Sequence, residues 1–247
     1  MQSQRELIHS TDWRTLFIMD AMRFDVFKEI VEEDHIKGTL TPVWSPGCET
    51  GVWMRELWTD TVYKNMTLIS NSVIYWKSNN RYILSKFSKT VPLWKGRVIE
   101  EGAPLWGDVM PTKEVLEYAQ KEHIISPKKM IIIHDMPPHL PFCADAGYQF
   151  LEKLIPKKDV DFVYSILTEY GQDKKGRFDE LRGYYKESAR KTLHTILKCG
   201  WLQERGGLVI SADHGEMIGE HDQYGHSLNY PEDAVLRTVP WLTEGRL

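Results

Sequence analysis

The sequence predicts an α/β fold with a largely parallel sheet. Short apolar runs alternate with segments of helical spacing along the chain. One of those runs, KKMIIIHD (128–135), is apolar enough to be buried on both faces. The 247 residues, 42% hydrophobic and 27% charged, provide a core of the size such a sheet needs.

The elements follow in order. TLFIMD (15–20) reads as the first strand, and Phe24, Phe27, Ile30 and Val31 continue at helical spacing. TLTPVW (39–44) reads as the second strand, broken by SPGC and followed by a helix from Glu49 to Trp58. NMTLISN (65–71) reads as the third strand. Residues 76–111 are irregular, with Trp76, Trp94 and Trp106 among Gly, Pro and Lys. A helix is expected over 112–123, then the buried strand 128–135. Further helices are expected near 145–154 and 158–170. A long one at 177–199 carries Phe178, Leu181, Tyr185, Ala189, Leu193 and Ile196 on one face. GGLVISAD (206–213) is the last clear strand. No repeat, low-complexity tract or linker divides the chain, so one domain over 1–247 is expected.

A net charge of −4, from 31 basic and 35 acidic residues, does not point to nucleic acid or to an anionic membrane. The three cysteines, Cys48, Cys143 and Cys199, are odd in number and far apart, which points to a reducing compartment. The first residues, MQSQRELIHSTDW, contain no apolar leader, and no run approaches the length of a membrane span. These features predict a soluble, cytoplasmic protein.

The acids fall in informative places. Asp20, Asp135 and Asp213 each end an apolar strand, and ligands of open α/β sheets bind outside those carboxyl ends. A single such Asp is best read as the cap of the next helix. Three of them, two with adjacent histidines, favour a divalent metal. Asp213 and His214 offer hard oxygen and borderline nitrogen from neighbouring residues, and Asp20 completes that site from another strand. Asp135 and His139, joined through Pro137 and Pro138, form a second set with His226, bridged to the first by substrate oxygens. Taken singly, His134, His221 and His226 read equally well as hydrogen-bonded structural residues or as ligands.

The segments LFIMDAMRFDVF, HDMPPHLPF and SADHGEMIGEHDQYGHS with its later VPWL resemble, in order and spacing, the alkaline phosphatase superfamily on its sulfatase-like branch. The resemblance runs from residue 16 to 242. It implies a central, mostly parallel sheet flanked by helices on both faces. It implies one or two divalent ions (Zn, Mn, Mg or Ca) per chain and a metal-bound nucleophile that attacks phosphate or sulfate esters. Asp20, Asp213 and His214 become metal ligands. His139 becomes a ligand or a contact to the transferred group, and His226 a ligand or an acid near the leaving group. Arg23 resembles the Arg of the first motif; its simplest role is an ion pair at a helix start.

The nucleophile is expected where a helix N-terminus follows the second strand, in WSPGCETGVWM. Alignment on Ser-Pro puts Cys48 first, Thr50 second and Ser45 third. Thr50 and Val52 stand where the sulfatase signature has Pro and Arg, so a formylglycine is not expected. The alternative for Cys48 is a small buried residue under Thr50 as helix cap. The resemblance also implies a minimal catalytic core, with 76–111 or a second subunit supplying substrate walls. The expected function is a metal-dependent hydrolase or transferase acting on small-molecule or glycan-linked phosphate esters. A sulfatase, or a binding protein that keeps the fold, is the alternative.

Overall fold

The computed structural model describes residues 1–59, 62–76, 80–93, 110–140, 142–155 and 163–247, without the side chains of Val73 and Trp76. Most of the 76–111 excursion, including Trp94 and Trp106, lies outside the described residues, as do residues 158–162 of the expected 158–170 helix.

A central sheet carries all five expected strands, β2 (Thr15–Met19), β3 (Lys37–Trp44), β4 (Tyr63–Ser70), β6 (Met130–Asp135) and β7 (Leu208–Ala212). Three further strands join it: β1 (Gln2–Ser3), β5 (Phe87–Pro92) and β10 (Thr238–Arg246). The eight strands run in the order β1-β3-β10-β7-β2-β6-β4-β5. Every pairing in this sheet is parallel except those of β10 with β3 and β7. β10 is hard to see in the sequence because Pro240 removes a ladder donor, as does Pro42, its register partner in β3. A small antiparallel pair, β8 (Met217–Ile218) and β9 (Tyr224–Gly225), stands apart from the sheet.

Helices cover both faces. On one lie α1 (Gln4–Ser10) and α3 (Thr50–Leu57). Gln4 Nε2 donates to Ser211 Oγ at 2.8 Å, and Trp53 stands edge-on to His134 with ring centroids 5.4 Å apart. A single turn, α4 (Arg81–Leu84), leads into β5. On the other face lie α2 (Phe24–Glu33), α5 (Thr112–Ile125) and α8 (Arg177–Leu197), joined by α6 (Asp145–Leu154), α7 (Val163–Asp173) and α9 (Gly200–Arg205) around α8. Leu181, Tyr185, Ala189, Leu193 and Ile196 of α8 are buried, the face its spacing predicts. With both faces covered, β2 and β7 are buried at every residue.

Strand register sets the site. Met19 of β2 pairs with Asp135 of β6 and with Ala212 of β7. Asp20 and Asp213 are each one residue beyond that row. Register partners share a face and neighbours along a strand alternate, so Asp20 and Asp213 emerge on one face and Asp135 on the other. His134, in register with Ile18, shares the face of Asp20 and Asp213.

Candidate metal centre

Asp20, Asp213, His214 and Thr50 meet at the carboxyl rim of the sheet, all of them buried. His214 Nε2 lies 3.3 Å from Asp213 Oδ2, 3.7 Å from Asp20 Oδ1 and 3.2 Å from Thr50 Oγ1. His214 Nδ1 donates to Gly215 O at 2.8 Å, which leaves Nε2 as the lone pair facing the carboxylates. Gly215 is required here because a Cβ would stand 2.0 Å from Val235 O. Asp213 Oδ1 accepts from the backbone N–H groups of Ala21 (3.0 Å) and His214 (2.9 Å), so only Oδ2 faces the cluster.

Electrostatics follow from this packing. Burial works to raise the Asp213 carboxyl, but the adjoining imidazoles of His214 and His134 and the Ala21 N–H outweigh it and hold the group well below the usual carboxylate range. Burial lowers the His214 imidazole, so its lone pair is available.

The residues fit a divalent ion. Asp20 Oδ1 and Asp213 Oδ2 are buried acceptors without a hydrogen-bond partner, and a buried carboxylate oxygen left so is costly. Two carboxylate oxygens, an imidazole nitrogen and a hydroxyl are the donor set of a Zn²⁺-type centre. Tetrahedral bonds of about 2.0–2.2 Å place ligand atoms about 3.3–3.6 Å apart, close to the separations around His214.

Thr50 is the first residue of α3, and its hydroxyl donates to His214 Nε2. The preceding turn packs under the helix; a Cβ on Gly47 would stand 2.3 Å from Trp53 N. Ser45 is spent on that turn, its hydroxyl bonded to Gly47 O (2.9 Å) and to Asp213 O. Cys48 is not brought to the cluster. It packs with Met217, Leu236 and Tyr230, and burial pushes its thiol up. All three cysteines are free thiols.

Asp135 stands apart from Asp20, Asp213 and His214. On the opposite face of the sheet, its Oδ1 accepts from Asn71 Nδ2 at 2.7 Å and its Oδ2 from Thr112 Oγ1 at 2.6 Å. Burial pushes its carboxyl up to about 7.

His139 and His226 face each other, with ring centroids 5.4 Å apart, and His226 lies 4.4 Å from His214. The third member of this group is Glu216, which is not among the expected ligands. Its Oε1 accepts from His226 Nδ1 at 2.9 Å, while Oε2 is buried without a partner. Burial works to lower His226, but Glu216 prevails and raises it to about 9. His139 is already engaged: Nδ1 donates to Leu140 O (2.8 Å), and Nε2 accepts from Tyr164 Oη (2.6 Å). Nothing in the sequence marks Tyr164. Glu216 had a signal, its place two residues after His214. Arg23 forms ion pairs with Asp25 and Glu220 and donates to Glu216 O at 3.2 Å, bracing this loop from the start of α2.

No protein-family model matches the chain, and no curated protein matches its sequence. Solved structures do. The C-terminal periplasmic domain of EcEptC from Escherichia coli, in complex with Zn, has a TM-score of 0.57 at 15% identity over 98% of this chain and 74% of its own. The C-terminal periplasmic domain of phosphoethanolamine transferase EptC from Campylobacter jejuni has a TM-score of 0.58 at 13% identity over 94% and 78%. A sulfatase-like match, a putative sulfatase from Bacteroides thetaiotaomicron, has a TM-score of 0.53 at 13% identity over 94% and 63%. The fold is alkaline phosphatase/sulfatase-like.

In this alkaline phosphatase/sulfatase-like frame, the centre of Asp20, Thr50, Asp213 and His214 sits at the carboxyl rim, with His139, Glu216 and His226 beside it. Among the described residues no helix is long and apolar enough to cross a membrane.

Proposed function

We propose that this chain is a metal-dependent phosphoesterase or phosphotransferase in which Thr50 is the nucleophile. The observation that carries the reading is the meeting of two unpartnered buried carboxylate oxygens, the His214 lone pair and the Thr50 hydroxyl at the first turn of α3. This reverses the order expected from the Ser-Pro alignment, because Cys48 faces apolar side chains instead. It also sets the sulfatase alternative behind, since a modified cysteine at position 48 would not reach the carboxylates.

A divalent ion held by Asp20, Asp213, His214 and Thr50 supplies Lewis-acid polarisation of a phosphoryl oxygen and a lowered hydroxyl pKa. The residues do the rest. The first turn of α3 orients Thr50 and directs backbone N–H groups at developing negative charge. His226, charged by Glu216, holds a proton at Nε2 for the leaving oxygen. His139, fixed by Leu140 and Tyr164, stands beside it to contact the transferred group. One ion with histidine assistance accounts for the geometry, because Asp135 is on the other face and His139 Nε2 is engaged by Tyr164.

The phosphoethanolamine transferases among the structures of similar fold, one of them named for lipooligosaccharide, support a small-alcohol phosphodiester, glycan- or lipid-linked, as the substrate class. Elemental analysis of the purified protein tests the reading together with turnover of p-nitrophenyl phosphate, bis-p-nitrophenyl phosphate and p-nitrophenyl sulfate. Bound divalent metal and metal-dependent release from a phosphate ester are expected. A metal-free protein that turns over none of the three sinks the proposal.

A further inference from the structure

His134 lies in the floor of the centre, and neither the expected ligand set nor the mechanism uses it. Its Nε2 is 3.5 Å from Asp20 Oδ2 and 3.5 Å from Asp213 Oδ2, with the ring completely buried. The two histidines reach Asp20 through different oxygens, His134 through Oδ2 and His214 through Oδ1. At Asp213 both histidines face Oδ2, His134 at 3.5 Å and His214 at 3.3 Å, so His134 uses a different oxygen from His214 only at Asp20.

The ring is held on every side. Trp53 stands edge-on at 5.4 Å and 77°, and Tyr75 at 5.3 Å and 88°. Trp53 is itself fixed, its Nε1 donating to Gln4 Oε1 at 2.9 Å, while Gln4 Nε2 donates to Ala212 O at 2.6 Å, next to Asp213. Tyr75 Oη lies 2.7 Å from His134 Nδ1, its one hydrogen-bond partner among the described residues. A buried hydroxyl donates its proton where an acceptor is at hand, and here the acceptor is the Nδ1 lone pair. With Nδ1 accepting, the ring proton is on Nε2 and points between the two carboxylates.

We infer that His134 is a positioning residue which, with its tautomer locked by Tyr75, holds the Asp20 and Asp213 carboxylates in the spacing that receives the ion. The inference rests on the metal-site reading. Two buried carboxylates on adjacent strands repel each other, and a shared N–H from beneath offsets that repulsion; it meets Asp20 at the oxygen turned away from His214 and Asp213 at Oδ2, whose second lone pair is left for the ion. Support of this kind behind metal ligands changes metal affinity by about ten- to a hundredfold.

The test is titration of the metal-free full chain with Zn²⁺, alongside absorption spectra of the Co²⁺ form, for the parent, His134→Leu, His134→Gln and Tyr75→Phe. His134→Leu is expected to weaken Zn²⁺ binding by about ten- to a hundredfold. His134→Gln, whose amide N–H reaches the place of Nε2–H, should recover most of that loss, and Tyr75→Phe should fall between. The Co²⁺ spectrum should keep its shape in the Gln and Phe variants, because no ligand has changed. Zn²⁺ binding as weak in the Gln variant as in the Leu variant, with an altered Co²⁺ spectrum, would make His134 a ligand and overturn the inference. Equal affinity in all variants would also overturn it, reducing His134 to packing. If the Leu variant does not fold, unchanged affinity in Tyr75→Phe is the overturning result. A parent that binds no Zn²⁺ removes the metal reading itself, which is a different failure.

Discussion

The Thr50 hydroxyl and His214 Nε2 are 3.2 Å apart, a contact between the first residue of α3 and the residue that follows Asp213 after β7. Three segments, the ends of β2 and β7 and the start of α3, thus bring a hydroxyl, an imidazole lone pair and two carboxylates to one point.

Thr50→Ala should lower turnover of an activated phosphate ester at least about a thousandfold, as loss of a nucleophile does elsewhere. Thr50→Ser should retain measurable turnover. Cys48→Ala should keep the activity and cost about 1 kcal/mol of stability from lost packing against Met217 and Leu236. The reverse pattern would return the nucleophile to Cys48.

Asp213→Asn should abolish metal binding and lower the stability of the metal-free fold, because the ionised carboxylate is favoured in the folded protein. The amide oxygen of that variant can still accept from the Ala21 and His214 N–H groups, so the chain still folds, while its NH₂ replaces the charged oxygen that faces His214 and His134. The melting temperature of the chelated variant should lie below that of the chelated parent, and added Zn²⁺ should raise only the parent's. A variant that still responds to Zn²⁺ contradicts the ligand assignment.

Asp135→Asn should leave metal content unchanged, since Asp135 faces Asn71 and Thr112. Its carboxyl, pushed up to about 7 by burial, is favoured in the protonated form when folded. Parent stability therefore falls as pH rises from the unfolded value of about 3.9 to that folded value, then levels off. The amide of the variant has no proton to lose, so its melting temperature relative to the parent should be higher at pH 8 than at pH 5. A pH-independent difference would argue against the buried, raised carboxyl.

Glu216→Gln should move the alkaline limb of the kcat/KM profile to lower pH. His226 donates only when protonated, and Glu216 is what raises it to about 9 against burial. Removing that charge lowers the pH at which the proton is lost. An unmoved limb would assign it to another group.

Much of this architecture was legible in the chain. The apolar runs ending in Asp20, Asp135 and Asp213 mark real strands, because a strand covered on both faces must be apolar along its whole length. β10 was not legible, because its stability comes from pairing with β3 and β7 and not from a run free of proline.

The sequence by itself determined the sheet, the three strand-end acids and the loop 45–50 as the place between a strand and a helix. It could not tell which acids face one another. That choice belongs to register: one residue of offset between β6 and its neighbour β2 turns Asp135 to the opposite face from Asp20 and brings His134 in its stead. Nor could it choose between Cys48 and Thr50, two residues apart. Only the packing of the turn under α3 sends the thiol against Met217 and Leu236 and the hydroxyl to His214. Side-chain direction alternates with single residues, whereas apolar patterning is read over whole segments, so the pattern fixes the element and the tertiary contacts fix the face.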